Sequence, residues 1–461
     1  MASIQMQQIR KMDNQNYIQQ KLIFCFFIYT LFTLLSTTGI GFAFALLNFV
    51  FCVYIVLKYD DKVLVPFFVY ATFFASLFKV LNITEMSLLT VIMLLYILKK
   101  VVYTKKYRAR FFVPFIGLLG LQLVIQGANG QIDINRNIKF FETYLYIYFA
   151  VLAVSLNENH SDNDNSSQWK SVFVSFVSGV IISSFIRFLD GEIFNISKFV
   201  TEKSSTLGIG SIVYVRFSGL YGDPNYYAVN LILGMSITCF MYAKKNIKPW
   251  IVYVLLFLFT VLSILTRSKS AFLMLCLPIL MMLYINHKQH NTFLQILLII
   301  SLGSVIILVA SGRILWFSSI TNRFVADTDL NALTTGRTGI WTYYINYLRN
   351  NPIKLLFGNG LSASILGTRG THNTYLDILY YLGIIPGLFY VYMVFSLFRL
   401  NGISIKRNFI NYCGIITISI MYFFLGCLFD IDMSTNIIIM IIMYNTTTNS
   451  CSIPVLENLE V

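Results

Sequence analysis

The sequence predicts an all-α protein, a polytopic bundle of transmembrane helices. Hydrophobic residues make up 57% of its 461 residues, aromatic residues 16% and charged residues only 12%, whereas a soluble globular protein carries about 25% charged residues. Apolar stretches of about 17–25 residues, each long enough to cross the hydrocarbon core of a bilayer, follow one another along almost the whole chain. A water-soluble enzyme is therefore excluded.

About 12–14 transmembrane helices are expected. The N-terminal segment is polar, and the apolar run after Lys21 leads directly into another, which is wrong for a cleaved signal peptide. The predicted spans lie near residues 22–37, 40–57, 63–81, 86–98, 111–128, 139–156, 171–189, 225–243, 249–266, 270–286, 292–310, 374–398, 408–427 and 430–444. The seven cysteines fall mostly inside such runs without paired spacing, so neither a disulfide framework nor a metal site is indicated.

The distribution of Lys and Arg predicts the orientation of the bundle. The chain has 34 Lys and Arg against 20 Asp and Glu, a formal charge of +14, and short cytoplasmic loops retain such cations. A cytoplasmic N-terminus places the basic connections 99–110, 243–248 and 399–408 on the same side, together with an acidic, solvated linker at 156–169. The two long connections are then external, at residues 190–224 and 311–373.

Three regions follow from this topology. Residues 1–190 form N-terminal transmembrane helices, residues 191–445 contain further helices and the external loops with the candidate active site, and residues 446–461 form a cytoplasmic tail. Nucleic-acid binding is not expected, because topology explains the cytoplasmic cations and the sequence has no basic, aromatic-laced soluble module. The cations of the long external loop 311–373 indicate an anionic partner.

Four polar clusters interrupt the apolar background, all of them predicted at external helix ends or in external loops. The first, at residues 214–228, contains Arg216, whose guanidinium group needs an anionic or carbonyl partner beside a membrane helix. It also contains Asp223-Pro224-Asn225, for which a plain helix cap is the favoured explanation, because Pro suits the first helical position.

The second cluster, residues 265–271, places Arg267 and Lys269 in a tight external turn. Short external loops are usually poor in Lys and Arg, so a functional need for positive charge is one explanation. The alternative is snorkelling toward lipid phosphates, which explains Lys269 equally well and Arg267 less well.

The third cluster, residues 334–361, begins with Arg337 next to glycine and continues with apolar residues at helical spacing up to Asn351-Pro352, which ends the helix. Trp341 and the tyrosines predict an amphipathic helix at the membrane surface, with Arg337 in its N-terminal turn, where backbone N–H groups also attract phosphate. The alternative is a helix that covers the bundle and binds nothing, and it explains the apolar positions better.

The fourth cluster, residues 371–389, starts a helix with His372 and Asn373, followed by Tyr375 and Asp377. The other three histidines lie in predicted cytoplasmic loops, so His372 is the imidazole on the face that holds the arginines. A lone histidine is more often structural than catalytic, but this position makes a role as general base or hydrogen-bond donor an equal expectation. Asp377 is a weak candidate for orienting the imidazole, because a spacing of five residues places it imperfectly on the same helical face.

The sequence contains no GxxxxGK(S/T), HExxH, CxxC or GxSxG motif. Nucleotide hydrolysis, zinc proteolysis and serine esterase chemistry therefore have no support. Neither a cofactor nor a catalytic metal is expected.

From about residue 200 to residue 400 the sequence resembles the bacterial O-antigen ligase and O-antigen or capsular polysaccharide polymerase superfamily. The resemblance rests on RFSGLYGDPN, the turn TRSKSA, the segment GRTGIW followed by NP and GNG, and the helix start THNTYLDILYYLGIIPG, in this order. It implies a membrane-embedded glycosyltransferase of the GT-C class that moves sugars from undecaprenyl diphosphate to an acceptor with inversion, without nucleotide or metal. The implied location is the bacterial inner (cytoplasmic) membrane, with the active site on its external or periplasmic face.

The resemblance also implies roles for individual residues. Arg216 and Arg337 match arginines that bind the lipid diphosphate, His372 matches a histidine that activates the acceptor, and Arg267 matches a basic position of less settled assignment. Arg267 and neighbouring polar residues are expected to contribute to substrate binding, and these neighbours are Lys269, Asn225, Asn373 and Tyr375. Physical chemistry supports the same roles, because fixed guanidinium groups stabilise a leaving phosphate while a histidine takes the proton of the attacking hydroxyl group.

The leading hypothesis is a polysaccharide polymerase that transfers a growing O-antigen or capsule glycan onto a lipid-linked repeat unit. The alternative is a ligase whose acceptor is the lipid A core or a protein, with the same donor site. A transporter or flippase of lipid-linked glycans is less favoured, since the polar clusters lie at one face rather than in paired mid-membrane positions. Expected partners are the undecaprenyl-diphosphate-linked oligosaccharide and the bilayer, with a flippase and a chain-length regulator as further candidates.

Overall fold

The computed structural model of the chain describes residues 2–78, 87–103, 109–155, 162–198, 206–209, 212–221, 223–243, 245–289, 336–362, 370–399, 420, 423 and 425. Most of these residues are helical. The α-helices, in chain order, are α1 (Ala2–Leu35), α2 (Gly41–Lys58), α3 (Asp61–Thr72), α4 (Leu88–Tyr103), α5 (Ala109–Ala128), α6 (Ile134–Ser155), α7 (Asp162–Ile186), α8 (Pro224–Ala243), α9 (Pro249–Leu265), α10 (Lys269–Lys288), α11 (Arg337–Asn350), α12 (Pro352–Phe357), α13 (Thr374–Asp377) and α14 (Ile384–Arg399). The shorter elements are two 3-10 helices (Arg187–Leu189 and Ile196–Lys198), two strands, β1 (Thr206–Ile209) and β2 (Ile212–Val215), and a π-helical turn (Ile378–Leu382).

The predicted membrane helix bundle is confirmed within these residues. Four helices are long and apolar enough to cross a membrane, with spans at Asn16–Leu35, Gly41–Lys58, Lys170–Leu189 and Pro224–Ala243. Shorter apolar helices lie at Val113–Ala128, Pro249–Leu265, Met274–Lys288 and Ile384–Met393. The predicted spans 292–310 and 430–444, nearly all of 408–427 and the predicted tail 446–461 lie outside the described residues.

Local sequence explains where several helices begin and end. Pro224 and Pro249 occupy the first positions of α8 and α9, where a missing N–H group costs nothing. The helix α11 begins after Gly336, which has a φ of 81°, and it ends before Asn351. A second short helix then starts at Pro352, as expected for a proline that cannot continue the preceding helix.

The helix α11 is amphipathic, as predicted for the long external loop. It buries Tyr344 and Leu348 and exposes Tyr343 and Ile345. Its Trp341 packs edge to face against Phe423, with 5.2 Å between the ring centroids. One face of the helix therefore covers the bundle, and the other remains available to the surroundings.

The core of the bundle lies around α8. This helix packs against α7, α9 and α10, and nearly all of its residues are buried. The packing is close at Gly234, where an added Cβ atom would lie 3.0 Å from both Phe176 and Phe259. Because α8 is held by three neighbours, the polar residues at its N-terminal end have a fixed place.

A β-hairpin in the predicted external connection 190–224 was not anticipated. The strands β1 and β2 are antiparallel, with Thr206 opposite Val215 and Ile209 opposite Ile212. The two strands consist largely of Thr, Ile, Val and Tyr, which favour strands over helices. The hairpin leads directly to Arg216.

Two predicted spans are also shorter than expected. The span predicted at 63–81 ends as a helix at Thr72, and the turns after it bring the Ser76 hydroxyl group to the carbonyl oxygen of Leu220, at 2.8 Å. The span predicted at 374–398 is interrupted at Gly383, which has a φ of 78° and follows the π-helical turn. Glycine is needed there, because a Cβ atom at Gly383 would lie 2.2 Å from the backbone nitrogen of Gly358.

Candidate active site

The first two polar clusters form one hydrogen-bonded unit. Arg216 follows β2 and is buried. Its Nε donates to the carbonyl oxygen of Thr266 and its Nη2 donates to Oδ1 of Asn225, both at 2.9 Å. The same Asn225 oxygen accepts a hydrogen bond of 2.8 Å from the Ser268 hydroxyl group. Arg216 thus has a carbonyl partner and joins the start of α8 to the turn before α10.

Asp223 caps the N-terminus of α8. Its Oδ1 accepts hydrogen bonds from the backbone N–H of Asn225 at 2.7 Å and from Nδ2 of Asn225 at 2.9 Å. The helix cap that the sequence favoured is therefore present. The same two bonds fix the amide group of Asn225, so that its Oδ1 meets Arg216.

The turn that carries Arg267 has an uncommon backbone conformation. Among the described residues, three residues other than glycine have a positive φ, and they are Lys245, Arg267 and His372. Two of these three are predicted site residues, with φ values of 51° for Arg267 and 53° for His372. Such conformations cost roughly 1–3 kcal/mol and collect at functional sites. Arg267 is only 8% exposed, which fits snorkelling toward lipid phosphates poorly.

The surroundings differ among three predicted substrate-binding residues, Lys269, Asn225 and Tyr375. Lys269 opens α10, and its side chain lies outside the described part of the structure. Asn225 is bonded to Arg216, as described above. Tyr375 is 48% exposed in the first turn after His372. A role for Lys269 and Tyr375 in substrate binding stays a prediction.

Arg337, His372 and Asp223 act on one another electrostatically. Arg337 is half-buried at the start of α11, and this burial lowers the pKa of its guanidinium group, whereas nearby Asp223 and Tyr226 raise it. Loss of hydration lowers the pKa of the His372 imidazole, the charge of Arg337 lowers it further, and Asp223 raises it. Asp223 therefore lies within electrostatic range of both basic groups, which relates the first, third and fourth clusters to one another.

The turn around His372 is held by its neighbours. Nε1 of Trp341 donates to the carbonyl oxygen of Thr371 at 2.8 Å, which ties the turn to α11. Oδ1 of Asn373 accepts from the backbone N–H of Leu376 at 3.0 Å and caps α13. His372 itself is exposed between these two buried anchors. The geometry offers an accessible imidazole on a fixed backbone, and Asn373 has a capping role.

Asp377, the weak candidate for orienting the imidazole, has a hydrogen-bond partner other than His372. It is buried, and its Oδ1 accepts a hydrogen bond of 2.6 Å from the Thr371 hydroxyl group. The carboxylate that acts on His372 is instead that of Asp223. His372 precedes Asn373, the N-cap of α13, so helical spacing does not relate His372 to Asp377.

The Gly-Asn-Gly segment packs on the π-helical turn, a contact that the sequence did not predict. The backbone N–H groups of Asn359 and Gly360 donate to the carbonyl oxygens of Tyr380 and Tyr381, at 2.9 and 3.1 Å. Nδ2 of Asn359 also donates to the Tyr380 hydroxyl group at 2.8 Å. A π-helical turn leaves carbonyl groups without their usual helical donors, and this segment supplies donors.

Arg136 is a further residue that the sequence analysis missed. It lies in the first turn of α6, and its Nη1 donates to the carbonyl oxygen of Ser362 and, at 3.0 Å, to the Tyr381 hydroxyl group. The sequence contained a signal for Arg136: the short connection around 129–138 is external in the predicted topology, and such connections are usually poor in cations. The same criterion had selected Arg267.

The site consists of guanidinium, imidazole, amide and hydroxyl groups and the carboxylate of Asp223. In the part of the chain that the structure describes, no group of three or more His, Cys, Asp and Glu side chains is placed to hold a metal ion. Arginines can bind a phosphate group with paired hydrogen bonds, and a neutral imidazole can accept a proton. The arrangement can therefore hold an anionic group and remove a proton beside it.

Comparison with known proteins points in the same direction. The chain matches no protein-family model. It is similar to an oligosaccharyltransferase. This relative is the ComP-specific O-oligosaccharyltransferase of Acinetobacter baylyi, which is 22% identical over 349 residues, 72% of the chain. The chain spans 59% of the length of that relative. The similarity supports the ligase side of the superfamily and gives no specific support to the polymerase side.

Proposed function

We propose that the protein is a membrane glycosyltransferase that moves an oligosaccharide from a polyprenyl-diphosphate-linked donor to the hydroxyl group of an acceptor. The observation that supports this proposal best is the link of three basic residues to Asp223: Arg216 is joined to it through Asn225, and Arg337 and His372 lie within its electrostatic range. Two fixed guanidinium charges attract a diphosphate, and a neutral imidazole offers a base. The similarity to an O-oligosaccharyltransferase supports the same class of reaction.

In the proposed reaction, the acceptor oxygen attacks the anomeric carbon of the donor sugar. The bond between this carbon and the phosphate oxygen breaks, its electron pair leaves with the diphosphate, and the acceptor proton goes to a ring nitrogen of His372. The guanidinium groups of Arg216 and Arg337 stabilise the charge that develops on the leaving phosphate. Attack from the opposite face of the sugar inverts the anomeric configuration.

The charges around His372 suit this task in two stages. Before the donor binds, a partial loss of hydration and the charge of Arg337 hold the pKa of His372 below its ordinary value, so the imidazole is neutral and can accept a proton. A diphosphate bound at Arg337 adds negative charge nearby, which raises the pKa of His372 and favours the imidazolium formed during transfer. Donor binding therefore makes His372 a stronger base.

For the acceptor, we favour the ligase, the alternative of the sequence analysis, over the polymerase that was its leading hypothesis. The relative is named for O-linked oligosaccharide transfer specific to ComP, and this name supports a single transfer to a protein acceptor. Both enzymes would use the same donor site, so the arginines and His372 keep their roles in either case. The preference for a ligase over a polymerase depends only on the similarity to this relative.

The donor and the location are parts of the same proposal. We place the site at the external face of a bacterial inner membrane, and we take undecaprenyl diphosphate as the lipid carrier. The basic connections 99–110 and 243–248 support this orientation, because short basic connections favour the cytoplasmic side. The connection 243–248 follows the C-terminal end of α8, so the N-terminal end of α8, next to Arg216, is then external. A polyprenyl tail needs an apolar surface, which a helix bundle in a bilayer provides.

The proposal is tested by transfer in nanodiscs that contain purified protein and a fluorescent lipid-linked oligosaccharide. Wild-type protein is compared with His372→Ala and with the control His287→Ala, which changes an exposed histidine near the end of α10. A single labelled product with a protein acceptor, lost only in His372→Ala, is expected. A ladder of lengthening lipid-linked products would restore the polymerase, and the absence of transfer to protein, core-lipid and repeat-unit acceptors would refute the proposed function.

A further inference from the structure

Arg136 connects parts of the chain that are far apart in sequence. It stands at the start of α6, close to Asp133, with 3.4 Å between Nε of Arg136 and Oδ2 of Asp133. Its side chain is 25% exposed, so much of its guanidinium group faces protein. In the predicted topology, this end of α6 lies on the same face as His372.

The guanidinium group bridges two segments, the segment 359–362 and the π-helical turn. Nη1 donates to the carbonyl oxygen of Ser362 and to the Tyr381 hydroxyl group, and the guanidinium carbon lies 5.4 Å from the centre of the Tyr381 ring. Ser362 and Tyr381 are both buried. The planar guanidinium group has several donors in a fixed arrangement, so it can hold two acceptors in a defined geometry.

A second contact from the same region strengthens the bridge. Nδ2 of Asn129, just before α6, donates to the carbonyl oxygen of Asn359 at 3.0 Å. Gly360 lies so close to α5 that an added Cβ atom would be 2.7 Å from Cγ of Gln126. The connection between α5 and α6 therefore fixes both ends of the segment 359–362.

The bridged segments lead to His372 through a short chain of contacts. The segment 359–362 is bonded to the π-helical turn, which directly follows Asp377. Asp377 accepts a hydrogen bond of 2.6 Å from Thr371, the residue before His372. Arg136 is also an electrostatic partner of Asp377. A shift of the π-helical turn would thus displace the turn that carries His372.

We propose that Arg136 is a positioning residue of the transfer site, which fixes His372 by clamping Ser362 and Tyr381 together. This inference rests on the proposed function. It assigns to the first 190 residues a part in the reaction that their sequence motifs did not reveal. Arg136 itself need not touch the donor or the acceptor, because it acts through the backbone on which His372 stands.

The variant Arg136→Gln tests this proposal, with Arg349→Gln as the matched control, since Arg349 is an exposed arginine at the end of α11. A displaced base impairs the chemical step, so kcat is expected to fall about 100-fold in Arg136→Gln while KM for the donor changes little. Arg136→Lys keeps the charge but loses the planar fork, and it should recover only part of kcat. Wild-type kcat in Arg136→Gln, or an equal loss in Arg349→Gln, would overturn the proposal.

A second measurement needs no glycan and separates this inference from the proposed function. Hydrogen–deuterium exchange of peptides covering residues 357–362 and 371–383 is compared in wild-type protein and Arg136→Gln. Faster exchange in both peptides is expected in Arg136→Gln, with unchanged exchange in α8 as evidence that the bundle is intact. Unchanged exchange in both peptides would refute the clamp. If wild-type protein transfers nothing, the proposed function fails, and the exchange result still decides whether Arg136 holds these segments.

Discussion

Replacing Gly358 by alanine should destabilise the contact between the Gly-Asn-Gly segment and the π-helical turn. Gly358 has a φ of 84° and a ψ of 175°, a region that is essentially restricted to glycine. A Cβ atom there would lie 2.3 Å from the carbonyl oxygen of Tyr381 and 2.4 Å from the carbonyl carbon of Leu382. Both are backbone atoms, so no side-chain rotation relieves the clash, and the two segments must move apart.

The magnitude follows from two effects. The backbone conformation costs roughly 1–3 kcal/mol for a residue other than glycine, and overpacking costs typically about 1–3 kcal/mol more. Gly358→Ala is therefore expected to lose roughly 2–6 kcal/mol of stability in this region. Gly130→Ala is the control, because Gly130 also has a positive φ, 67°, but an added Cβ atom meets nothing within 4 Å. Its expected loss is only about 1–2 kcal/mol.

The assay is thermal unfolding of both variants in the same detergent, followed by intrinsic fluorescence and by the amount of monodisperse protein that remains. Gly358→Ala should unfold at a clearly lower temperature than Gly130→Ala, and its loss should include faster hydrogen exchange at Asn359 and Gly360. Equal unfolding temperatures for the two variants would show that the close approach of Gly358 to the turn does not contribute, which would refute the reasoning.

Two further predictions concern the turn that carries His372. Arg337→Gln should raise the pKa of His372 and Asp223→Asn should lower it, because Arg337 disfavours and Asp223 favours the imidazolium, while the partial loss of hydration, the larger cause, is unchanged. The pH dependence of diethyl pyrocarbonate modification of His372, followed by mass spectrometry, measures both shifts, and shifts of the same sign would contradict the arrangement. Trp341→Phe removes the hydrogen bond to the Thr371 carbonyl oxygen, a loss of about 0.5–1.5 kcal/mol that should lower kcat and leave donor binding intact. Unaltered kcat in Trp341→Phe would show that this bond does not hold the turn.

Local sequence rules predicted the bundle and several element ends. Hydrophobic runs predicted the helices, and Pro224 and Asn351-Pro352 predicted boundaries that the structure contains. Such signals are local, since they depend on the backbone preferences of one or two residues. The boundary near residue 190 stays a prediction, and the contacts of Arg136 with Ser362 and Tyr381 cross it.

The parts of the site that escaped prediction depend on contacts between distant residues. The π-helical turn at Ile378–Leu382 looks like ordinary helix in the sequence, and it lies where Gly358 closely approaches Gly383. Likewise, Asp377 was only a weak candidate for orienting His372, and the carboxylate whose charge acts on the imidazole is that of Asp223, which is distant in sequence. Polar clusters could be found from sequence, but their pairing required the packing of α8, α11 and α13.

The most direct test of the central claim separates donor binding from transfer in wild-type protein, Arg337→Gln and His372→Ala. Binding of a lipid-linked oligosaccharide diphosphate and single-turnover transfer to the acceptor are measured in the same nanodiscs. Arg337→Gln should weaken binding by about 1.5–3 kcal/mol, the usual contribution of a hydrogen bond to a charged group. His372→Ala should bind the donor normally and transfer about 10²–10⁴-fold more slowly. Undiminished transfer by His372→Ala, or wild-type donor affinity in Arg337→Gln, would contradict the claim.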